Sequence, residues 1–266
     1  MAGRRVLRAL LVVVVLVVGL ALGVSALSRQ QPTNTGPDES QTFANVPTVP
    51  SGANASAAAA AIPAGARPTP REETFQGCPP GGDGTDPQLN QLKNRIDTVT
   101  GPLATSIDTL LHLPWPSGVN GRRMAQWSAS DRAQVDRSNG AGLDVDAYLT
   151  RVQAEGAEST NCHSTLDIDF HMWIAAQPQN DRTQAVIVEI TPRMRALHPG
   201  WTLAAFQQLA REKARVRVTG WLMLDPDHPD QVGKTRGTIW ELHPVTKVEV
   251  FRNGGWVDLD TLKPAA

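Results

Sequence analysis

Charged residues are scarce in this chain. Asp, Glu, Lys and Arg make up 19% of its 266 residues and nearly cancel, leaving a formal charge of −1. Such a balance removes any chain-wide pull toward nucleic acid or an anionic membrane surface. No GxSxG turn is present, so the strained serine elbow of the α/β-hydrolases is excluded. No HExxH or HxH spacing occurs among the six histidines, which removes the common helical zinc motif. The glycine-rich GGDGTD lacks the GK[ST] ending of a phosphate loop and reads as a surface turn. There is no internal repeat.

One long apolar run is present, at the N-terminus. Arg4, Arg5 and Arg8 precede residues 9–27, which are almost wholly apolar. As a helix the run rises about 28 Å, close to the hydrocarbon thickness of a bilayer. The basic start, 1–8, belongs on the cytoplasmic side, so the remainder is expected outside the cytoplasm. Val24-Ser25-Ala26 suits a signal-peptide cleavage site, whereas the length of the run favours an uncleaved transmembrane anchor. Residues 28–70 are rich in Pro, Ala, Ser, Thr and Gly and too poor in large apolar side chains to offset chain entropy, so they read as a disordered tether.

Cysteine occurs twice, as Cys78 and Cys162. In an exported chain a pair points to a disulfide before a metal site. The other reading leaves two thiols, with Cys162 a ligand beside His163.

Residues 71–140 read as a helical cap. Asp86-Pro87 is an N-cap followed by proline at the first helical position, and Leu89, Leu92 and Ile96 mark one face. A second helix is expected over 103–111, and a third after Ser128, with Asp131 in the capping position. From residue 141 the period changes to two. Strands are expected over 143–153, 165–175 and 185–191, a helix over 202–213 with Thr202 as its cap, then strands over 216–224 and 237–251. The last is expected to bend or bulge at Pro244. A β-β-β-α-β-β order over 141–260 is that of a five-stranded OB-like β-barrel, giving an α+β protein.

The stretch TNCHSTLDIDFHMWI, 160–174, concentrates the residues able to do chemistry. Strand alternation puts Asp167, Asp169, His171 and Trp173 on the face opposite Leu166, Ile168, Phe170 and Met172. Glu189 joins them from the third strand, and Glu241 with His243 from the fifth. Arg193 follows the third strand.

Several functions fit these residues. His171, His243 and Glu189, or Asp169 as the carboxylate, form a set for zinc or manganese, with Arg193 steadying an anion. That set describes a metal-dependent extracytoplasmic hydrolase, phosphodiesterase or nuclease-like. The same residues equally describe the solvated face of a barrel strand. Asp169, His171, Trp173, Glu189, Arg193, Glu241 and His243 would then bind an envelope ligand or partner protein, or serve only a structural envelope component. Residues 141–260 carry 12 Lys and Arg against 16 Asp and Glu, a net of −4, which argues against nucleic acid. Trp173, Trp221 and Trp240 would instead suit stacking on a glycan.

The segments DPQLNQLKNRID, TNCH, DFHMW, VEITPR, HPGWTL, GWLMLDPDHP and WELHPVTKVEV resemble a group of uncharacterised bacterial exported proteins. The resemblance spans residues 77–250. It implies one domain over that length and supplies no activity.

Overall fold

The computed structural model describes residues 62 and 68–262. The chain divides into two units, Met1–Val46 and Pro47–Ala266, and every described residue belongs to the second. The apolar run over 9–27 and nearly all of the tether lie outside the described residues. No helix among the described residues is long and apolar enough to cross a membrane. Ile62, within the expected tether, is buried among the core residues.

Among the described residues, seven strands follow in chain order: β1 (Leu103–Thr105), β2 (Gly142–Ala154), β3 (Phe170–Ala175), β4 (Ala185–Ile190), β5 (Arg215–Leu224), β6 (Trp240–Arg252) and β7 (Gly255–Asp258). The order β2-β3-β4-β6-β5 closes through a β2–β5 pairing into a five-stranded barrel. All barrel neighbours are antiparallel except β4 and β6. The closed barrel with few helices is the α+β architecture expected from the sequence, and its strand order is consistent with an OB-like arrangement. β1 runs parallel beside β2, and β7 turns back on β6.

The barrel interior follows from the period of two. Leu143, Val145, Ala147 and Leu149 of β2 point inward with Met172 and Ile174 of β3, Val186 and Val188 of β4, and Val216 and Val218 of β5. Closure leaves these strands with no free edge at which another chain could add.

Among the described residues, five α-helices accompany the barrel: α1 (Pro87–Lys93), α2 (Ile107–Leu111), α3 (Ala129–Val135), α4 (Pro192–Leu197) and α5 (Leu203–Arg211). Asp86, Ser128 and Thr202 cap α1, α3 and α5 through the side chains expected. The helix expected over 103–111 is split. Residues 103–105 extend along Leu143, Asp144 and Val145 of β2, and Ser106 caps what remains as α2. A tertiary strand partner outweighs local helix preference there. The short α4 was not visible in the period; Thr191 caps it and Pro192 opens it.

The second barrel strand starts later than its alternation suggests. It begins at Phe170, and Leu166 is 86% exposed rather than inward-facing. Ser164 Oγ accepts from the backbone N–H groups of Leu166 and Asp167, which offers the chain a turn in place of a ladder. β6 continues through Pro244, with register shifts on either side where it pairs β5. These bulges bend the strand, and Gly220 of β5 allows it: a Cβ there would meet the Pro244 carbonyl oxygen at 3.0 Å.

Candidate functional site

The site lies on the outer side of β3, β4 and β6. Pairing places His171 beside Glu189, and Ile187 beside Glu241. Sequence reasoning took this face as open to water. The structure corrects this: His171, Trp173, Glu189, Glu241 and His243 are all buried. Trp173, Ala175, Ala185 and Ile187 form a second small apolar cluster there. Residues between β5 and β6 lie across it, with Trp173 Nε1 donating to the Thr235 carbonyl at 2.7 Å and Gly237 N to Ala185 O at 2.8 Å. A face that reads as polar along each strand thus becomes interior once other segments fold over it. Trp221 and Trp240 are buried as well, so none of the three tryptophans presents an open platform for a sugar ring.

Two imidazoles flank the Glu189 carboxylate. His171 Nδ1 is 3.4 Å from Glu189 Oε1 and 2.7 Å from Glu155 Oε1. His243 Nδ1 is 3.3 Å from Glu189 Oε2 and 3.2 Å from Glu241 Oε1. His171 stacks on Trp173, with ring centroids 4.5 Å apart. Asp169 precedes β3 and is buried, its Oδ1 accepting from Asn161 Nδ2 at 2.9 Å. Asp169, Glu189 and His243 each offer a ligand atom, all within 4.8 Å of one another. The fold therefore draws Asp169 into this triad, while His171 stands on the far side of Glu189 and is tied to Glu155.

The charges are continuous with a deeper network. Arg236 Nη1 reaches Asp225 Oδ2 at 2.8 Å and Glu241 Oε2 at 3.4 Å, with all three residues buried. Burial pushes the Glu189 carboxyl well above its ordinary value, and the nearby Glu241 charge adds to this. Glu155 moves the other way, chiefly through its hydrogen bond with His171. Burial and Asp225 oppose ionisation of Glu241, but the His243 hydrogen bond and the His243 and Lys93 charges hold it below its ordinary value. Lys93 at the end of α1 is buried; burial alone would lower it, and Asp225, Glu241, Glu189 and Glu158 together raise it. One wall thus carries neighbouring carboxyl groups shifted in opposite directions, a spread often found at functional sites.

A cleft of about 390 Å³ opens over this wall, bordered by Lys93, Glu155, His171, Arg182, Glu189 and Lys234. Glu158 and His228 also reach it. Sequence reasoning missed Lys93, Glu155, Glu158, Arg182, His228 and Lys234. They come from five separate stretches, and no spacing links them.

Arg193 is bonded mainly to the protein itself. Its Nε donates to Asn94 Oδ1 at 2.8 Å, its Nη2 to the carbonyls of Cys78 and Pro79 at 3.0 and 3.1 Å, and its Nη1 to the Glu73 carbonyl. Those bonds tie the N-terminal segment to α4. Four of the five guanidinium N–H donors are thus engaged within the protein. The disulfide between Cys78 and Cys162 is formed and holds the same segment.

His228 gives the site a measurable titration. Its Nδ1 lies 2.7 Å from Asp225 Oδ2, and that hydrogen bond raises its pKa above the ordinary histidine value of 6.5. A raised histidine adds stability that is complete below 6.5 and is lost as pH rises through the folded-state value. An imidazole proton NMR titration is expected to show His228 titrating above 6.5, and Asp225→Asn to bring it down. A His228 midpoint at or below 6.5 in the unaltered chain contradicts the pairing.

No protein-family model, no curated protein and no solved structure matches this chain.

Proposed function

We propose that the chain is a membrane-anchored, extracytoplasmic binding protein whose OB-like barrel holds a small polar envelope ligand in the cleft over β3 and β4. The observation that carries this reading is the cleft itself. Its volume, about 390 Å³, suits a small molecule rather than a protein surface. Cations and carboxylates alternate around it: Lys93, Arg182 and Lys234 beside Glu155, Glu158 and Glu189. Such a rim complements a ligand with both anionic and cationic groups, as the peptide and amino-sugar units of a cell envelope have. His171 lines the cleft, and its buried Nε2 has no hydrogen-bond partner among the described residues. A buried polar atom left unpaired is costly, so a ligand atom that bonds it gains accordingly. The basic apolar start supports the membrane location, and the disulfide supports an oxidising compartment.

The second reading is a metal-dependent hydrolase. It draws support from Glu189, a buried carboxyl set between two imidazoles and bordering the same cleft.

The test is native mass spectrometry of the full chain after incubation with the low-molecular-mass fraction of digested cell envelope. One adduct per chain is expected. It is expected to disappear in an Arg182→Glu, Lys234→Glu double variant whose melting temperature is unchanged. No adduct, or one indifferent to the double variant, rules out this cleft as the binding site. Release of a cleaved product instead of an adduct favours the hydrolase.

A further inference from the structure

We infer that Asp169, Glu189 and His243 bind one divalent transition-metal ion, zinc or manganese, beneath the cleft floor. The inference does not rest on the ligand-binding reading, with which it shares only Glu189. His243 Nδ1 sits 3.2 Å from Glu241 Oε1 and 3.3 Å from Glu189 Oε2, so carboxyl groups occupy that edge of the ring. The other ring nitrogen, Nε2, faces Asp169 Oδ2 at 3.8 Å. Neither Nε2 nor Oδ2 has any hydrogen-bond partner among the described residues, and both side chains are fully enclosed.

At 3.8 Å the two atoms stand too far apart to hydrogen-bond each other. A metal ion about 2.0–2.2 Å from each atom spans the gap. Glu189 supplies a third ligand atom within the same 4.8 Å triad.

The surroundings match what a metal ligand set needs. A ligating histidine donates its other N–H to a carboxylate, and His243 Nδ1 has Glu241 Oε1 at 3.2 Å for that role. Asn161 holds Asp169 through Oδ1 and leaves Oδ2 free. One imidazole with two carboxylates is a donor set that zinc and manganese both accept.

The experiment uses the full chain purified in detergent, stripped with chelator and dialysed against zinc or manganese. Metal per chain is read by elemental mass spectrometry. One ion per chain is expected. Asp169→Asn and His243→Gln should each weaken binding at least about 100-fold, beyond the range of a supporting residue. His171→Gln should weaken it by less, no more than the roughly 10–100-fold of a supporting residue, because that ring meets the triad only through Glu189. If a variant fails to fold, cobalt added to the unaltered chain is read by NMR: the His243 ring signals shift most. The inference is overturned if the unaltered chain binds neither metal, if Asp169→Asn binds as tightly as the parent, or if cobalt moves His171 and spares His243. None of these outcomes bears on the adduct test, in which only Arg182 and Lys234 are altered.

Discussion

Replacing Arg236 with methionine is expected to cost about 3–5 kcal/mol of stability at neutral pH, the range for breaking a buried ion pair from one side. Arg236 is wholly buried, and its Nη1 lies between Asp225 and Glu241. Methionine fills similar volume, so the loss comes from charge rather than from a cavity. Two ionised carboxyl groups would remain in the interior with one counter-charge fewer. The pH dependence follows from the directions of shift. Asp225 and Glu241 both titrate below their ordinary values in the folded chain. Each therefore contributes stability above the unfolded carboxylate range that is lost as pH falls through the folded value. In Arg236→Met this contribution shrinks, so the difference from the parent is greatest near pH 7 and narrows on acidification. Urea denaturation at pH 7 and again near pH 4 measures both. A difference under about 1 kcal/mol at pH 7, or one that does not change with pH, contradicts the assignment.

Removing the disulfide has an effect of the same size for a different reason. Cys78 and Cys162 are 84 residues apart. Closing a loop of that length removes conformational freedom from the unfolded chain worth about 4.5 kcal/mol. A Cys78→Ala, Cys162→Ala double variant is expected to lose about 3–5 kcal/mol. The loss should also be local. The bridge pins the segment that Asn94 ties to the carbonyls of Pro80 and Thr160, and that Arg193 ties to Cys78 and Pro79. Hydrogen exchange in the double variant should therefore quicken over residues 71–97 before it quickens in β2 or β5. An unaltered melting temperature, or exchange that quickens uniformly, contradicts this role. Loosening that segment also uncovers Lys93, which the segment itself carries into the cleft.

Much of the barrel was legible because its signals are local. Leu143, Val145, Ala147 and Leu149 alternate along β2, and any strand with that pattern must turn one face inward. The caps Asp86, Ser128 and Thr202 act within three residues of their own position. The bend at Pro244 follows from a missing N–H. The elements that went unseen depend on a partner far along the chain. β1 is extended because β2 lies beside it, and β7 exists because β6 does. Leu166 follows the inward alternation in sequence, yet the Ser164 turn takes it out of the ladder.

The candidate site divides along the same line. The sequence alone determined which residues share a strand face: His171 with Trp173, Glu241 with His243, and Glu189 between two apolar neighbours. That is fixed by the two-residue repeat of an extended chain. Only the tertiary structure decided that this face is interior. It also decided that Asp169, not His171, meets His243 across a gap with no hydrogen bond, and that Arg193 is occupied by carbonyls. The reason is physical. Burial and charge pairing depend on segments 60 to 120 positions away, such as Thr235 over Trp173 and Glu73 against Arg193. A local repeat carries direction along the chain, but it holds no record of what will fold across it.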